Sequence, residues 1–218
     1  MVMVATDRKE HWEQVYSTKG ETGVSWYQRE PHLSLELIRA VAPAAGGRII
    51  DIGGGASVLV DTLLDLPFER NAVLDISETA LGKARARLGA RAGRVEWIAA
   101  DVTEAQDVGT FEIWHDRAVF HFLTDAADRR KYVELARRTV PKEGYLIVAT
   151  FADEGPPKCS GLDVCRYNPD SLSAAIGQGF TLVREARETH TTPWESSQQF
   201  FLRGVQAAGR LTPSRVLR

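Results

Sequence analysis

A chain of 218 residues, 44% hydrophobic and 26% charged, is long enough for one globular domain that buries a full sheet with helices on both faces. A formal charge of −2 excludes a global field drawing the protein onto nucleic acid or membrane, and no apolar segment approaches the roughly 20 residues needed to cross a bilayer. Two cysteines, Cys159 and Cys165, make no disulfide framework, and VMVATDRKEHW near the amino terminus meets charge too early for a cleavable signal, so a reducing cytoplasm is the expected compartment.

In chain order, helical patterns over 8–17 and 32–41 come first, joined by the glycine-bearing, aromatic stretch KGETGVSWYQREP. Short β-rich runs then alternate with longer helical ones. Strands are expected over 48–52, 71–75, 95–99, 112–115 and 145–150, with helices over 57–66, 78–88 and 128–139 whose apolar residues recur at three-to-four spacing. Pro141-Lys142-Glu143-Gly144 turns the last of these helices into the fifth strand. A helix over 169–176 follows, and then two β-like runs, 181–188 and 198–203, suited to an antiparallel hairpin at one edge. The alternation predicts an α/β fold with a mostly parallel sheet and crossover helices. Residues 1–204 are expected to form a single domain, 1–46 as a helical cover and 47–204 as its core, with 205–218 a frayed basic tail.

RIIDIGGGAS, residues 48–57, runs an apolar strand into three glycines, the mark of backbone that approaches a ligand. In an open parallel sheet ligands sit beyond the carboxyl ends of the strands, and here each of four successive loops holds a polar signal: Asp51 with Gly53, Gly54 and Gly55, then Asp75, Asp101 and Asp116-Arg117. A dinucleotide is the first candidate. Gly53 and Gly55 fit two glycines of its fingerprint, but Val58 takes the third place and Asp51 would face a pyrophosphate with negative charge. Asp51 suits a cationic group instead, and S-adenosylmethionine carries both an ammonium and a sulfonium. A carboxylate ending the second strand accepts from both ribose hydroxyls, and Asp101 accepts from the adenine amino group. Taken singly, either aspartate reads equally well as a helix cap.

Over 48–150 the chain resembles the Rossmann-like class I S-adenosylmethionine-dependent methyltransferases: IIDIGGG is similar to their glycine-rich first motif, VLDIS to their acidic second-strand end and AADVTE to their adenine-side loop. The resemblance implies a Rossmann-like seven-stranded sheet with an antiparallel C-terminal hairpin. It places Asp51, Gly53 and Gly55 along the methionine part of the cofactor, Asp75 and Ile76 at the ribose, and Asp101 and Val102 at the adenine. S-adenosylmethionine is the implied cofactor and S-adenosylhomocysteine the product. HDRAVFHFLTDAADRRKYVELARR is similar to the segment after the fourth strand in thiopurine methyltransferases and their relatives, which implies that Arg117 approaches the cofactor. HWEQVYSTKGETGVSWYQREP resembles their amino-terminal covers and those of some protein lysine methyltransferases, which implies that Trp12, Trp26 and Tyr27 close over the methionine end. No N-P-P-Y-type motif follows the fourth strand, which disfavours adenine or glutamine amide as acceptor.

Methyl transfer from a sulfonium needs alignment in a dry pocket more than it needs a base, which matters only for a nucleophile protonated at neutral pH. His121 is the expected base, facing the acceptor from the loop after the fourth strand; His115 is the strand-end alternative, and core packing is the plainer reading of either. TFADEGPPKCSGLDVCRYNPD suits a lid. Its Cys159, Cys165 and Arg166 join Tyr27 as candidate substrate contacts, the thiols matching a soft thiol, selenol or metalloid, but two cysteines without a third soft ligand predict no metal site. KARARLGARAGR, 83–94, reads as a solvated helix face, so nucleic acid is not an expected partner. The expected function is methyl transfer to a small-molecule thiol, selenol or amine. A protein lysine methyltransferase and a non-catalytic cofactor-binding protein are the alternatives.

Overall fold

Ile49, Ile50 and Ile52 are all buried, and Ile49 packs into a different core layer from the other two, so this run has no face to turn to water. In the computed structural model, which describes residues 5–208 except 21 and 44–45, it forms the central strand β1 (Gly47–Ile52) of a seven-stranded sheet. Parallel to β1 and to one another lie β2 (Phe68–Asp75), β3 (Val95–Ala99), β4 (Ile113–Arg117) and β5 (Tyr145–Phe151). A short hairpin of β6 (Lys158–Cys159) and β7 (Leu162–Asp163) stands apart from the sheet. Then β8 (Phe180–Thr191) and β9 (Ser197–Ala207) pair antiparallel, β9 inserting against β5, to give the order β3-β2-β1-β4-β5-β9-β8. The predicted Rossmann-like sheet and its C-terminal hairpin are what form.

Helices α1 (Ala5–Thr18) and α2 (His32–Val41) precede the sheet, and α3 (Leu59–Leu63), α4 (Glu78–Leu88), α5 (Ala126–Thr139) and α6 (Pro169–Ile176) follow in the crossovers. Alternation along the strands sorts the core. Ile50, Trp114, Leu146 and Val148 meet Leu135 and Ala136 of α5 and Leu172 of α6, while Ile49, Ile113 and Ile147 meet Leu35 and Ile38 of α2 and Leu59 of α3. Register then brings the strand ends level. Ile52 pairs with Leu74 on one side and Asp116 on the other, so the loops after β1, β2 and β4 open at the same edge.

Boundaries differ at a few places. The helix expected over 57–66 is confined to Leu59–Leu63, because the Ser57 hydroxyl accepts from Leu59 N at 3.1 Å and holds the preceding residues in a turn. Beyond it β2 starts at Phe68, earlier than residue 71, with Phe68 docked on the α2 and α3 layer. Strand β9 runs to Ala207, past residue 204, with Val205 in the core; the rest of the expected tail, 209–218, lies outside the described residues.

The basic run 83–94 is engaged inward rather than simply solvated. Arg87 reaches Asp61 and the carbonyls of Ala56 and Ser57, Arg91 reaches Asp65, and Lys83 donates to the carbonyls of Tyr16 and Lys19. These bonds tie α4 to the glycine loop on one side and to the end of α1 on the other.

Candidate active site

The three glycines after β1 are required by what surrounds them. Gly53 has φ +67°, and a Cβ there would overlap Val119; Gly54 would set a Cβ 2.5 Å from Asp51 Oδ2; Gly55, at φ +41°, would set one 2.7 Å from Asp75 Oδ2. The loop is therefore pressed between the carboxylates that end β1 and β2. Asp51 is almost fully buried and its Oδ1 lies 2.7 Å from His115 Nδ1, a strand-to-strand bond within the β1–β4 pair.

Asp75 closes β2 facing the cavity. Its Oδ1 accepts from Ser77 N at 2.8 Å, and the capping of α4 falls to Ser77, whose hydroxyl accepts from Ala80 N at 3.1 Å. Asp75 Oδ2 is turned towards Gly55 of the glycine loop. Burial pushes the Asp75 carboxyl up to about 7, Asp51 and Glu13 pushing the same way against the Ser77 N–H. Asp101 is more heavily engaged: Oδ1 accepts from the Thr103 N–H and hydroxyl, both at 2.8 Å, and Oδ2 accepts from Arg8 Nε at 3.0 Å. The same Arg8 reaches Asp128 at 2.6 Å and Thr103 Oγ1 at 2.8 Å.

Helix α1 lies across this edge. Arg8, Trp12 and Tyr16 follow one another at four-residue spacing and all line the cavity, while Glu13 accepts from the N–H groups of Glu78 and Thr79 at the positive start of α4. Trp12 packs edge-on against Trp26 (5.6 Å between ring centroids) and Phe122 (5.0 Å), and Trp26 against Tyr16 (6.2 Å). The resulting cavity is lined by Gly53, Asp75, Ile76, Asp101 and Val102 together with Trp12, Trp26, Arg117, Phe122 and Cys159. Asp51 and Tyr27 line an adjoining cavity under the glycine loop that shares Trp26, Gly53 and Arg117 with the first.

The loop after β4 is set by a buried carboxylate that sequence reading noticed without assigning it a role. Asp116 accepts from the N–H groups of Val119 and Phe120 and from the Tyr132 hydroxyl at 2.6 Å, and Tyr132 accepts from Trp114 Nε1 at 2.8 Å. This network holds Ala118 at φ +78° between Arg117 and Val119, both of which line the cavity. Arg117 donates to Glu188 of β8 at 3.1 Å and to the Trp26 carbonyl at 3.3 Å, and its guanidinium stands 4.3 Å over Phe200. Burial lowers its pKa, with Glu188 opposing.

Three expected placements differ. His121 does not face the cavity: it is fully buried against Phe151 and Phe122, its Nδ1 accepts from Phe151 N at 3.2 Å, and burial drives its pKa down to about 3. A neutral ring sealed from the cavity has no route to an acceptor's proton. The cysteines do not meet. Cys159 lines the cavity as a protonated thiol, its pKa raised by burial to about 11, whereas Cys165 and Arg166 line a separate surface depression with Arg129 and Asp153. Among the described residues no cluster of three or more His, Cys, Asp or Glu could hold a metal ion. Arg8, Tyr16 and Phe122 are cavity residues that sequence reasoning missed, although the spacing of Arg8, Trp12 and Tyr16 carried a signal.

Residues 50–146 match a methyltransferase domain. Over 118 residues the chain is 26% identical to the eEF1A lysine and N-terminal methyltransferase of Mus musculus, covering 53% of this chain and 17% of that protein. Over 106 residues it is 30% identical to the malonyl-[acyl-carrier protein] O-methyltransferase of Anoxybacillus flavithermus, covering 48% of this chain and 39% of that one. The chain thus spans less than half the length of these curated relatives. The solved structure of Burkholderia thailandensis 1,6-didemethyltoxoflavin-N1-methyltransferase, with 1,6-didemethyltoxoflavin and S-adenosylhomocysteine bound, superposes at a TM-score of 0.71 and 15% identity, covering 96% of this chain and 92% of that one. Residues 50–146, which hold the glycine loop and strands β2 to β4 of the seven-stranded sheet, are thus similar to a methyltransferase domain.

Proposed function

We propose that the chain transfers the methyl group of S-adenosylmethionine to a small-molecule thiol, selenol or amine. The carrying observation is the lining that the cavity adds to Asp75 and Gly53: the mutually packed rings of Trp12, Trp26 and Phe122, with Arg117 and Cys159, under α1, which suit a small acceptor. In this reading adenine lies along Asp101 and Val102, ribose hydroxyls donate to Asp75 and neighbour Ile76, and the methionine end meets Gly53, Gly55 and Asp51. The reaction forms a bond between the nucleophile and the methyl carbon as the carbon–sulfonium bond breaks, leaving S-adenosylhomocysteine as a neutral thioether at sulfur. An amine sheds its proton to solvent afterwards.

With His121 sealed off, the protein contributes alignment and water exclusion, and acceptors that arrive deprotonated are favoured. Arg117, paired with Glu188, places N–H donors at the cavity, which supports a thiolate or selenolate acceptor. Cys159 and Tyr27 remain candidate acceptor contacts, whereas Cys165 and Arg166 sit at a different surface and contribute only if the acceptor extends that far. Two free cysteines fit a reducing cytoplasm. Among the described residues no helix is long and apolar enough to cross a membrane.

A protein substrate is the second reading. A relative named for lysine and N-terminal methylation favours it, as does a groove outside the cover lined by Tyr27, Glu30 and Glu188, whose carboxylates would receive an incoming lysine. Labelled methyl transfer run against thiol, selenol and amine panels beside whole-cell protein extract separates the two. Label in small molecules supports the proposal; label in polypeptide replaces it. Cofactor binding without transfer to any of these identifies a non-catalytic binding protein.

A further inference from the structure

Beneath the glycine loop, Asp51 is bonded in series to His115 and Ser34, two side chains that the roles above leave unused. His115 Nδ1 stands 2.7 Å from Asp51 Oδ1 and His115 Nε2 stands 2.9 Å from Ser34 Oγ, with Asp51 3%, His115 1% and Ser34 2% exposed. An ionised carboxylate only accepts hydrogen bonds, so the proton between Asp51 and His115 belongs to Nδ1. The Ser34 hydroxyl, able to donate or accept, completes the series at Nε2. Each partner comes from a different element: Asp51 from β1, His115 from β4, Ser34 from α2 of the amino-terminal cover. All three line the cavity under Gly53 and Gly54, and the second carboxylate oxygen of Asp51 is turned onto Gly54, where a Cβ would come within 2.5 Å of it.

Resting on the cofactor reading above, we infer that this relay is a positioning device for the amino-acid end of S-adenosylmethionine. Ser34 holds the tilt of the His115 ring, His115 holds one oxygen of Asp51, and the other oxygen is thereby aimed at the position of the cofactor's ammonium. His115 is a positioning residue, in place of the base its ring chemistry suggests. The relay also makes α2 part of the recognition of the methionine tail, because the helix that covers the sheet supplies the last hydroxyl in the chain.

The device acts on one end of the ligand, which gives it a readout that loss of structure would not produce. S-adenosylhomocysteine carries the amino-acid end, whereas 5′-methylthioadenosine has the same adenosine and sulfur without it. Calorimetric titration of the parent with both establishes the reference affinities. His115→Leu leaves Asp51 without its donor and is expected to weaken S-adenosylhomocysteine by about tenfold or more while 5′-methylthioadenosine stays within about twofold. His115→Asn restores a donor at the Nδ1 position and should recover S-adenosylhomocysteine binding to within about threefold of the parent; Ser34→Ala should cost about threefold, again on that ligand alone. If His115→Leu does not fold, the Asn and Ala variants decide the matter by the same comparison. Equal losses on both ligands, or no loss on either, overturn the relay. Absence of S-adenosylhomocysteine binding by the parent overturns the cofactor reading, and the relay with it.

Discussion

Lowering the pH from about 8 to about 6 is expected to weaken S-adenosylhomocysteine binding about tenfold, through Asp75 alone. One oxygen of this carboxylate is already bonded to Ser77 N, and the other faces the cavity beside Gly55. Two ribose hydroxyls can both donate only to an ionised carboxylate, because a protonated one places its own hydrogen where a hydroxyl must donate. Burial, with Asp51 and Glu13 nearby, pushes this carboxyl up from 3.8 to about 7 in the free protein, and hydroxyls donating to it pull it back down on binding. At about pH 6 only roughly one free molecule in eleven is ionised there, and affinity falls by at most one decade per pH unit below the free value. The folded, unliganded protein keeps a proton that the unfolded chain releases near 3.8, so it loses stability as pH rises towards about 7. The ligand selects the ionised form, so its thermal shift should be larger at about pH 8 than at about pH 6. Titration calorimetry across that range is the assay, with Asp75→Asn as the control: weaker binding throughout, and flat with pH. A parent whose affinity does not change between the two pH values refutes the reasoning.

Removing the Arg8 side chain breaks its bonds to Asp101, Asp128 and Thr103, so Arg8→Ala should raise the dissociation rate of S-adenosylhomocysteine several-fold in stopped-flow and deprotect the amides of α1 in hydrogen exchange. His121→Phe fills the same aromatic pocket without a titrating group; methyl-transfer rates should keep the parent's pH profile, and a lost limb would restore a base role for His121. Gly53→Ala forces a left-handed φ on alanine and drives its methyl into Val119, so urea unfolding should register a loss of at least about 1 kcal/mol and cofactor binding should weaken with it.

What the sequence disclosed is what local chemistry writes into it. Apolar runs buried on both faces announced the parallel strands, and the glycines and aspartates closing β1, β2 and β3 announced the cavity edge because each is needed by its own loop. The contacts that finish the site join residues far apart in the chain. Asp51 meets His115 across 64 positions and Arg8 meets Asp101 across 93, and no pattern in a single stretch encodes either pairing. His121 shows the limit at close range. The turn Phe120–Phe122 is a 3-10 helix, whose successive side chains point about 120° apart, so Phe122 reaches the cavity while its neighbour is driven inward. A histidine in an aromatic stretch looks the same in either orientation. The helix expected over 57–66 was shortened for a similar reason, since the Ser57 side chain competes for the backbone that would have begun it.

Calorimetry of the parent protein with S-adenosylhomocysteine at about pH 8 tests the central claim most directly. Saturable binding at one site per chain, weakened more than about tenfold by Asp75→Ala, is the predicted result; no heat and no thermal stabilisation at millimolar ligand would contradict the account.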